Sequence, residues 1–323
     1  MIRIGVIGCG GMGTHHAKVL ASMHGRVKVV GVCDTLQDKA DKLGALLNVP
    51  AYTDYHDLLP AIDAAFICTP PTNRLDVVTD CAAAKKQIFA EKPLALSLAE
   101  ADQMVAAADR AGVRFMIGYV LRYMQPYRYL RDVLDAGQLG RLVNCWTRRY
   151  MPADMTKLWY GDQSLSGGVL LDFGCHDVDM MYWLGGKVRS VFAHFDKVRD
   201  AMRADEHAQV LMTFENGGMA SVDVSWSSFA TENTLGITGT RGTVVLDRYN
   251  TLRKKLADWD CERLPNPMAE KLGPPQESIQ EHFVRCLEQD LEPLTTAQQA
   301  RDVLAIILAA QESGRTGKAV DLA

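Results

Sequence analysis

The sequence opens with a strand-forming run that leads directly into a glycine-rich turn. Residues 2–7 are mostly branched and apolar, and a G-x-G-x-x-G pattern occupies residues 8–13. In such a turn the first glycine permits the bend, the second lets the backbone approach a phosphate, and the third lets the next helix lie against the strand. The helix that follows presents unpaired N–H groups and a positive dipole end, which favours a pyrophosphate. The predicted dinucleotide-binding residues here are Gly8, Gly10, Gly11, Met12 and Gly13.

One carboxylate at the end of the second predicted strand strengthens this interpretation. Residues 27–33 are typical of a strand, and Asp34 follows them, 21 residues after the last glycine of the turn. A carboxylate there can accept hydrogen bonds from both ribose hydroxyls of an adenosine. It would also repel a 2′-phosphate, and the two residues after it supply no cation. NAD is therefore favoured, with NADP as an alternative because Arg3 and Lys39 lie nearby in sequence.

Composition and charge argue against several other classes of protein. The chain has 323 residues, 48% of them hydrophobic, and a formal net charge of −4, which suits two domains with ordinary cores. Acids and bases are interspersed, so neither nucleic acid nor a membrane surface is an expected partner. No apolar run approaches the roughly 20 residues of a membrane helix, and no secretory leader is expected. The eight cysteines lack a C-x-x-C pair, which favours reduced thiols and a cytoplasmic location.

Alternating strand and helix patterns continue to residue 118. They predict strands at 51–52, 64–68, 87–90 and 114–118 and helices at 15–23, 36–47, 55–59, 75–84 and 98–111. This order is typical of a doubly wound parallel sheet, so we expect a dinucleotide-binding domain over residues 1–118. Ligands of such sheets bind at the carboxyl ends of the strands. The turn after the fourth strand is therefore predicted to border the cofactor through Thr69, Pro70 and Asn73.

A second polar turn, Glu91-Lys92-Pro93, follows the fifth predicted strand. Glu91 and Lys92 are expected at the same edge of the sheet as the cofactor. An ammonium group there could hold a substrate hydroxyl beside the cofactor and stabilise developing alkoxide charge. The alternative is an ordinary lysine at a solvent-exposed strand end.

The pattern changes after residue 119. A helix at 126–135 precedes predicted strands at 142–150, 188–195, 208–214, 218–225, 234–239 and 242–247, and helices follow at 279–290 and 296–313. Successive short strands separated by turn residues indicate a large, predominantly antiparallel sheet. We therefore expect an α/β Rossmann domain followed by an α+β domain over residues 119–323.

A cluster of acidic residues around one histidine lies in the second half. A single helix over 169–183 would place Asp172, His176 and Asp179 on one face, with two carboxylates flanking one imidazole. That arrangement can tune the ring to take a proton from a secondary alcohol as hydride leaves its carbon. A metal site is disfavoured, because three residues on one helix make a poor tetrahedral set. A core helix whose polar residues satisfy one another is the remaining alternative.

Other polar residues are weaker candidates. Four of them could line a sugar-sized pocket or belong to a hinge and core: Tyr119, Arg122, Trp159 and Tyr160. His15 and His16 open the first helix and are expected to pack there, with a phosphate contact by His16 as the alternative. Arg148 and Arg149 are expected at a solvated strand end.

The ordered set of motifs resembles that of the Gfo/Idh/MocA family, named for glucose-fructose oxidoreductase, inositol dehydrogenase and the rhizopine-catabolism oxidoreductases. The resemblance covers nearly the whole chain. It is carried by G-x-G-x-x-G at 8–13, Thr69-Pro70-Pro71 with Asn73, Glu91-Lys92-Pro93, Gly167-Gly168, Asp172-x-Gly174-x-His176-x-x-Asp179, the G-T-R-G-T run at 239–243 and the S-G-R-T-G-K run at 313–318.

The resemblance implies NAD(P)-dependent oxidation or reduction of a secondary hydroxyl in a sugar, cyclitol or related polyol such as inositol. It implies a substrate-binding and oligomerisation domain whose final helix returns to the Rossmann domain, and a homodimer or homotetramer built on the open sheet face. By position, Lys92 is the catalytic lysine, His176 the acid/base and Asp172 its partner. Two alternatives remain: an enzyme with retained NAD that cleaves or epimerises glycosides, and a non-catalytic nucleotide sensor, which would not need both Lys92 and His176.

Overall fold

The computed structural model describes residues 1–247, 252–256, 262–263 and 277–322. The chain forms two compact units. The first comprises Met1–Tyr119 and Glu277–Arg301, and the second comprises Val120–Gln276 and Asp302–Ala323. Among the described residues, seven cysteines are present as free thiols; Cys261 lies outside the described ranges.

The first unit contains a parallel sheet with helices between its strands. Its strands are β1 (Ile2–Ile7), β2 (Val27–Cys33), β3 (Ala51–Tyr52), β4 (Ala64–Ile67), β5 (Gln87–Ala90) and β6 (Phe115–Ile117). Its first helices are α1 (Gly11–Ser22), α2 (Gln37–Leu47), α3 (Tyr55–Leu58), α4 (Leu75–Ala83) and α5 (Leu98–Ala111). The strand order is β3-β2-β1-β4-β5-β6.

The parallel sheet forms because its central strands are apolar on both faces. Phe66 of β4 and Phe89 of β5 on one face, and Ile67 of β4 and Ile88 of β5 on the other, are fully buried, as expected where helices cover both faces of a sheet. The strand order reverses between β1 and β4. The carboxyl ends of strands at such a reversal form the crevice in which open α/β sheets bind ligands. The glycine turn after β1 and the proline turn after β4 therefore lie on either side of this crevice.

The second unit is built around a larger sheet. Its helices are α6 (Gln125–Asp135), α7 (Gln163–Ser166), α8 (Gly168–Asp172) and α9 (Cys175–Gly185). Its strands in the described ranges are β7 (Leu142–Tyr150), β8 (Val188–Asp196), β9 (His207–Phe214), β10 (Met219–Ser225), β11 (Glu232–Gly239), β12 (Gly242–Leu246), β13 (Leu252–Leu256), β14 (Glu262–Arg263) and β15 (Val320–Asp321). Two further helices follow in the chain, α10 (Ile279–Gln289) and α11 (Ala297–Thr316).

The strands of this sheet run in the order β14-β13-β12-β11-β7-β10-β9-β8-β15. All neighbours pair antiparallel except β7 and β10, which run parallel. Alternate residues such as Val210, Val222 and Ile237 are buried, and α8 and α9 contact this sheet. The predicted fold class, a Rossmann domain with an α+β domain, is confirmed. No helix in the described ranges combines the length and apolar character needed to cross a membrane.

The predicted single helix over 169–183 is wrong, because the chain forms two helices there. α8 ends at Asp172 and α9 begins at Cys175. Arg149 donates hydrogen bonds on both sides of the interruption. Its Nη2 donates to the carbonyl of Phe173, and its Nε donates to Asp177 Oδ2 at 2.8 Å. Its side chain is only 18% exposed, so the expected solvated position is also wrong for Arg149.

Asp179 does not flank an imidazole as predicted. Its two carboxylate oxygens accept hydrogen bonds from Arg122, at 3.0 Å from Nε and 2.6 Å from Nη2. Both side chains are almost fully buried, and the guanidinium lies 5.4 Å from the ring centroid of Trp183. Burial raises the pKa of Asp179, and the charge and hydrogen bonds of Arg122 oppose that rise. This ion pair ties α9 to the segment before α6.

Replacing Arg122 by methionine should strongly destabilise the second unit. Arg122→Met leaves the Asp179 carboxyl buried without its partner, which costs about 3 to 5 kcal/mol in unfolding free energy. Denaturant unfolding followed by circular dichroism measures the loss. Arg315→Met is the control, because the Arg315–Glu312 pair is largely exposed and contributes little. Equal stabilities of the two variants would contradict the assignment of Arg122 to the core.

Candidate active site

Two glycines of the turn after β1 are required by the protein's own packing. Gly8 has φ +99°, and a Cβ there would lie 2.7 Å from the carbonyl of Cys68. A Cβ on Gly13 would lie 1.8 Å from the carbonyl oxygen of Gly8. No larger residue fits either position without moving the backbone. These glycines therefore bring α1 against the end of β1, as the motif predicts.

The other two glycines of the turn leave space that the described protein atoms do not use. A Cβ on Gly10 or Gly11 would meet none of them within 4 Å. Gly10 precedes the first residue of α1. It has no side chain that could cap the N–H groups at the start of this helix. Met12 beside it is exposed. An open helix start with no side chain over it fits the pyrophosphate of a dinucleotide.

The Asp34 carboxylate is fixed at the edge of this turn. Its Oδ2 accepts the N–H of Cys9 at 2.8 Å, and its Oδ1 accepts the N–H of Leu36 at 2.9 Å. Each carboxylate oxygen can accept a second hydrogen bond, so the anchored group keeps capacity for ribose hydroxyls. The contact with Cys9 sets the distance between the end of β2 and the glycine turn. This geometry supports the prediction that Asp34 binds the adenosine ribose.

Arg74 joins the turns after β4 and β5, and the sequence interpretation missed it. It is 1% exposed. Its Nη2 donates to the carbonyl of Thr69 at 2.6 Å, and its Nη1 donates to the carbonyls of Pro93 and Leu94. Burial lowers its pKa to about 10, which leaves it charged at neutral pH. Its position directly after a proline turn at a strand end was the sequence signal that could have identified Arg74.

The turn after β4 presents its predicted residues at the surface. Pro70 and Asn73 are exposed and Thr69 is half-buried. Pro71 to Asn73 form a short 3₁₀ turn. The backbone of this turn is fixed by the hydrogen bond from Arg74 to the carbonyl of Thr69. Its exposed residues are therefore available to border a cofactor.

Glu91 lies beneath Lys92 and supports the turn after β5. Its Oε1 lies 2.8 Å from His16 Nε2, and its Oε2 accepts the N–H of Lys92 at 3.1 Å. Burial raises the pKa of Glu91, but the hydrogen bond and charge of His16 and the charges of Lys92 and Arg74 outweigh it and hold the pKa below the ordinary value. Glu91 is thus an ionised buried carboxylate.

Lys92 and the two histidines of α1 occupy different environments. Lys92 is half-buried and is joined to Pro93 by a cis peptide bond. His16 is buried, as expected for a packing residue, and protein groups engage both of its ring nitrogens. The alternative that it contacts a phosphate gains no support from this arrangement. His15 is exposed on the same helix.

In the second unit, Asp172 and His176 stand on either side of the helix interruption. Asp172 is the last residue of α8 and is buried, whereas His176 is half-buried in the first turn of α9. They therefore belong to two short helices whose ends are fixed by other side chains. Arg149 holds the interruption itself. Asp205 fixes the beginning of α8.

Asp205 explains the glycine at position 168, the first residue of α8, and sequence reasoning missed this carboxylate. Its Oδ1 accepts the N–H of Val169 at 2.7 Å, and its Oδ2 accepts an N–H of Gln163 at 3.1 Å. Gly168 has φ +84°, and a Cβ there would lie 2.4 Å from Asp205 Oδ1. Burial raises the pKa of Asp205 to about 6 despite these bonds. The paired glycines were the only available signal.

The remaining pocket candidates are placed separately. Tyr119 is buried in the first unit. In the second unit, Arg122 is engaged by Asp179, and Trp159 and Tyr160 are half-buried with ring centroids 4.0 Å apart. Arg148 is exposed as expected and donates to Asp223. A substrate-binding role for Tyr119, Arg122 and Trp159 stays a prediction.

The chain belongs to the Gfo/Idh/MocA family of oxidoreductases. Residues 2–119 match the family described as "Oxidoreductase family, NAD-binding Rossmann fold", and residues 127–245 match "GFO/IDH/MocA C-terminal domain". The predicted family, the oxidoreductase class and NAD as cofactor are thereby confirmed.

Full-length relatives have dehydrogenase names. Myo-inositol 2-dehydrogenase of Thermotoga maritima is 27% identical, covering 99% of this chain and 98% of its own. The NAD(+)-dependent scyllo-inositol 2-dehydrogenase of Bacillus subtilis is 28% identical, covering 99% and 96%. An oxidoreductase from Agrobacterium radiobacter, solved with NAD+, L-tartaric acid and magnesium, has a TM-score of 0.87 at 23% identity, covering 99% and 98%. That structural likeness supports the fold.

Alanine at two positions of the glycine turn should separate folding from cofactor binding. Gly13→Ala forces a clash with backbone and should lower unfolding free energy by at least about 1 to 3 kcal/mol. Gly10→Ala should leave stability within about 0.5 kcal/mol but weaken NADH binding about tenfold to a hundredfold, since a hydrogen bond to a charged group is worth about 1.5 to 3 kcal/mol. Thermal melts and NADH fluorescence titrations measure the two effects. Unchanged NADH affinity in Gly10→Ala would contradict the phosphate site.

Asp205→Asn should change how stability depends on pH. A carboxyl group whose pKa is raised on folding from 3.8 to about 6 stabilises the fold fully below about pH 4, and this contribution is lost as the pH rises through about 6. Asparagine does not titrate, so the variant should gain about 2.5 kcal/mol relative to the parent between pH 4 and pH 7. Denaturant unfolding at those pH values measures the difference. A constant difference across the range would refute the raised pKa.

Proposed function

We propose that this protein is an NAD-dependent dehydrogenase that oxidises a secondary hydroxyl of a cyclic polyol such as an inositol, or of a related sugar. The observation that carries the proposal is the turn at Lys92. It follows β5 of the nucleotide-binding unit and is secured by Glu91 below it and by Arg74 through Pro93. A lysine held in this way at the ligand-binding edge of the sheet is suited to positioning a substrate group.

Each proposed catalytic residue has a distinct task. The Lys92 ammonium donates a hydrogen bond to the substrate oxygen and stabilises the negative charge that develops there. His176 takes the hydroxyl proton, and Asp172 orients the imidazole. Bound NAD supplies the hydride acceptor. These roles are supported by the match of Glu91-Lys92-Pro93 and of Asp172-x-Gly174-x-His176 to the family motifs.

Names of relatives support a cyclitol as substrate. The two inositol 2-dehydrogenases each align over 99% of this chain, at 27% and 28% identity. The nicotinamide-dependent oxidation of a ring hydroxyl requires a base and an oxyanion stabiliser. Lys92 and His176 supply those two chemical types. Myo-inositol and scyllo-inositol are therefore the first compounds to assay.

We also propose that the chain forms a homo-oligomer. The face of the second sheet opposite Val210 and Val222 exposes Phe192, Leu211 and Met219. Phe192 and Leu211 are cross-strand partners, so their side chains are neighbours on one surface. Grouped exposed apolar side chains mark interaction surfaces.

Lys92→Ala and His176→Ala should each lower kcat by about 10² to 10⁴, because each removes a group that acts in the transition state. The affinity for NADH should change little in either variant. The assay follows NADH absorbance at 340 nm over a panel of inositols, sugars and glycosides. Exposed Lys42 and His24 supply the controls Lys42→Ala and His24→Ala, which should retain parental rates.

Two outcomes would change the proposal. Parental rates in both Lys92→Ala and His176→Ala would refute the assigned roles. Conversion of a glycoside without net NADH, by protein that purifies with bound NAD, would favour a reaction in which the same cofactor is reduced and reoxidised.

A further inference from the structure

Three buried polar side chains from distant parts of the chain meet beneath the Lys92 turn. His16 lies on α1, Glu91 follows β5 and Gln280 lies on α10, and all belong to the first unit. They are 2%, 8% and 3% exposed. Such groups are costly to bury unless they are hydrogen-bonded to one another. This set is called the His16 network below.

Both ring nitrogens of His16 are engaged by the network. Gln280 Nε2 lies 2.8 Å from His16 Nδ1, and His16 Nε2 lies 2.8 Å from Glu91 Oε1. An ionised carboxylate only accepts hydrogen bonds, so Nε2 is the donor to Glu91. Gln280, on the other nitrogen, holds the ring in the orientation that presents this donor to Glu91.

The surroundings of the network restrict how its groups can move. The ring of His16 lies 5.6 Å from Phe66 and 5.0 Å from Phe89, centroid to centroid. A Cβ on Gly118 would lie 3.2 Å from the Glu91 carboxylate, so the neighbouring strand end closely approaches that group. Tight packing of this kind holds side chains in single rotamers. The Glu91 carboxylate is therefore a fixed point.

The His16 network contacts Lys92 through the backbone N–H of Lys92. The second oxygen of Glu91 accepts the N–H of Lys92 at 3.1 Å. On the other side of the turn, Arg74 holds the carbonyl of Pro93. The backbone from which the Lys92 side chain departs is thus anchored at both ends. Without the Glu91 side-chain contact, that end of the turn is held only through the Glu91 N–H, which donates to the carbonyl of Ile67 at 2.9 Å. The Lys92 ammonium would then shift, although it has to be placed accurately to contact a reacting oxygen.

We infer that His16, Glu91 and Gln280 are positioning residues for Lys92, and that α1 serves both the dinucleotide phosphates and the placement of the lysine. The inference rests on the proposed function of Lys92. α1 begins at the glycine turn and carries His16 in its second turn. One helix therefore links the cofactor loop to the turn that presents the ammonium.

His16→Leu tests this inference by removing the donor to Glu91. We expect kcat with the best inositol of the panel to fall about tenfold to a hundredfold, as for a catalytic group displaced by about 1 Å. The affinity for NADH, measured by fluorescence titration, should stay within about twofold of the parent. His16→Gln retains a donor near the position of Nε2 and should recover most of the lost kcat. Lys18→Ala, at an exposed position of the same helix, should behave as the parent.

A double-mutant cycle separates positioning from general destabilisation. If His16 acts through Lys92, His16→Leu should have no further effect on kcat in a Lys92→Ala background. Equal fold losses in the two backgrounds, or a loss of NADH affinity that matches the loss of kcat, would overturn the inference. Gln280→Met provides a second route if His16→Leu does not fold. It should lower kcat with the same dependence on Lys92, and parental kcat in that variant would also overturn the inference.

The result also distinguishes the inference from the proposed function. A fully active Lys92→Ala would refute the role of the lysine and, with it, any positioning of that lysine. An inactive Lys92→Ala together with a fully active His16→Leu would refute only the role of the His16 network.

Discussion

The guanidinium of Arg74 is the group on which the ligand-facing edge of the parallel sheet depends. The turns after β4 and β5 leave the sheet ladder, so their carbonyl oxygens need other donors. Arg74 supplies donors to three of them, at Thr69, Pro93 and Leu94. Its burial is unfavourable for a charge, and the ionised Glu91 nearby opposes that penalty. A cation and an anion buried together thus connect the backbones of two neighbouring turns.

The second unit uses buried charges for the same purpose. Asp205 accepts the N–H of Val169 in the first turn of α8, Arg149 donates to the carbonyl between α8 and α9, and Arg122 pairs with Asp179 inside α9. Asp205 and Arg149 satisfy backbone groups that helix ends leave without an intrahelical partner, and Arg122 satisfies a buried carboxylate. The interruption is therefore a stable feature. It allows Asp172 and His176 to stand at helix ends instead of along one continuous face.

Local patterns predicted most of the regular elements because burial imposes a period on the sequence. The bounds of β1, β2 and β7 follow directly from their apolar residues, and the need for Gly13 follows from its contact with nearby Gly8. The helix interruption after Asp172 could not be predicted in this way. Residues 169–183 favour a helix apart from Gly174, and one glycine alone does not predict a break. The side chain that satisfies the carbonyl at the interruption, Arg149, lies 24 residues before Phe173 in the chain. His16 and Glu91 are likewise 75 residues apart, so neither reveals the other locally.

The sequence by itself determined the family, the two fold classes, the nucleotide turn and the preference for NAD, because each depends on local sterics, periodicity or a charge at a strand end. The tertiary structure decided which buried groups meet. It assigned Asp179 to Arg122, Glu91 to His16, and Gly168 at the start of α8 to the carboxylate of Asp205. These pairings depend on distances between segments far apart in the chain. A polar residue shows in sequence only that it needs a partner when buried; the fold alone determines which partner lies within hydrogen-bonding distance.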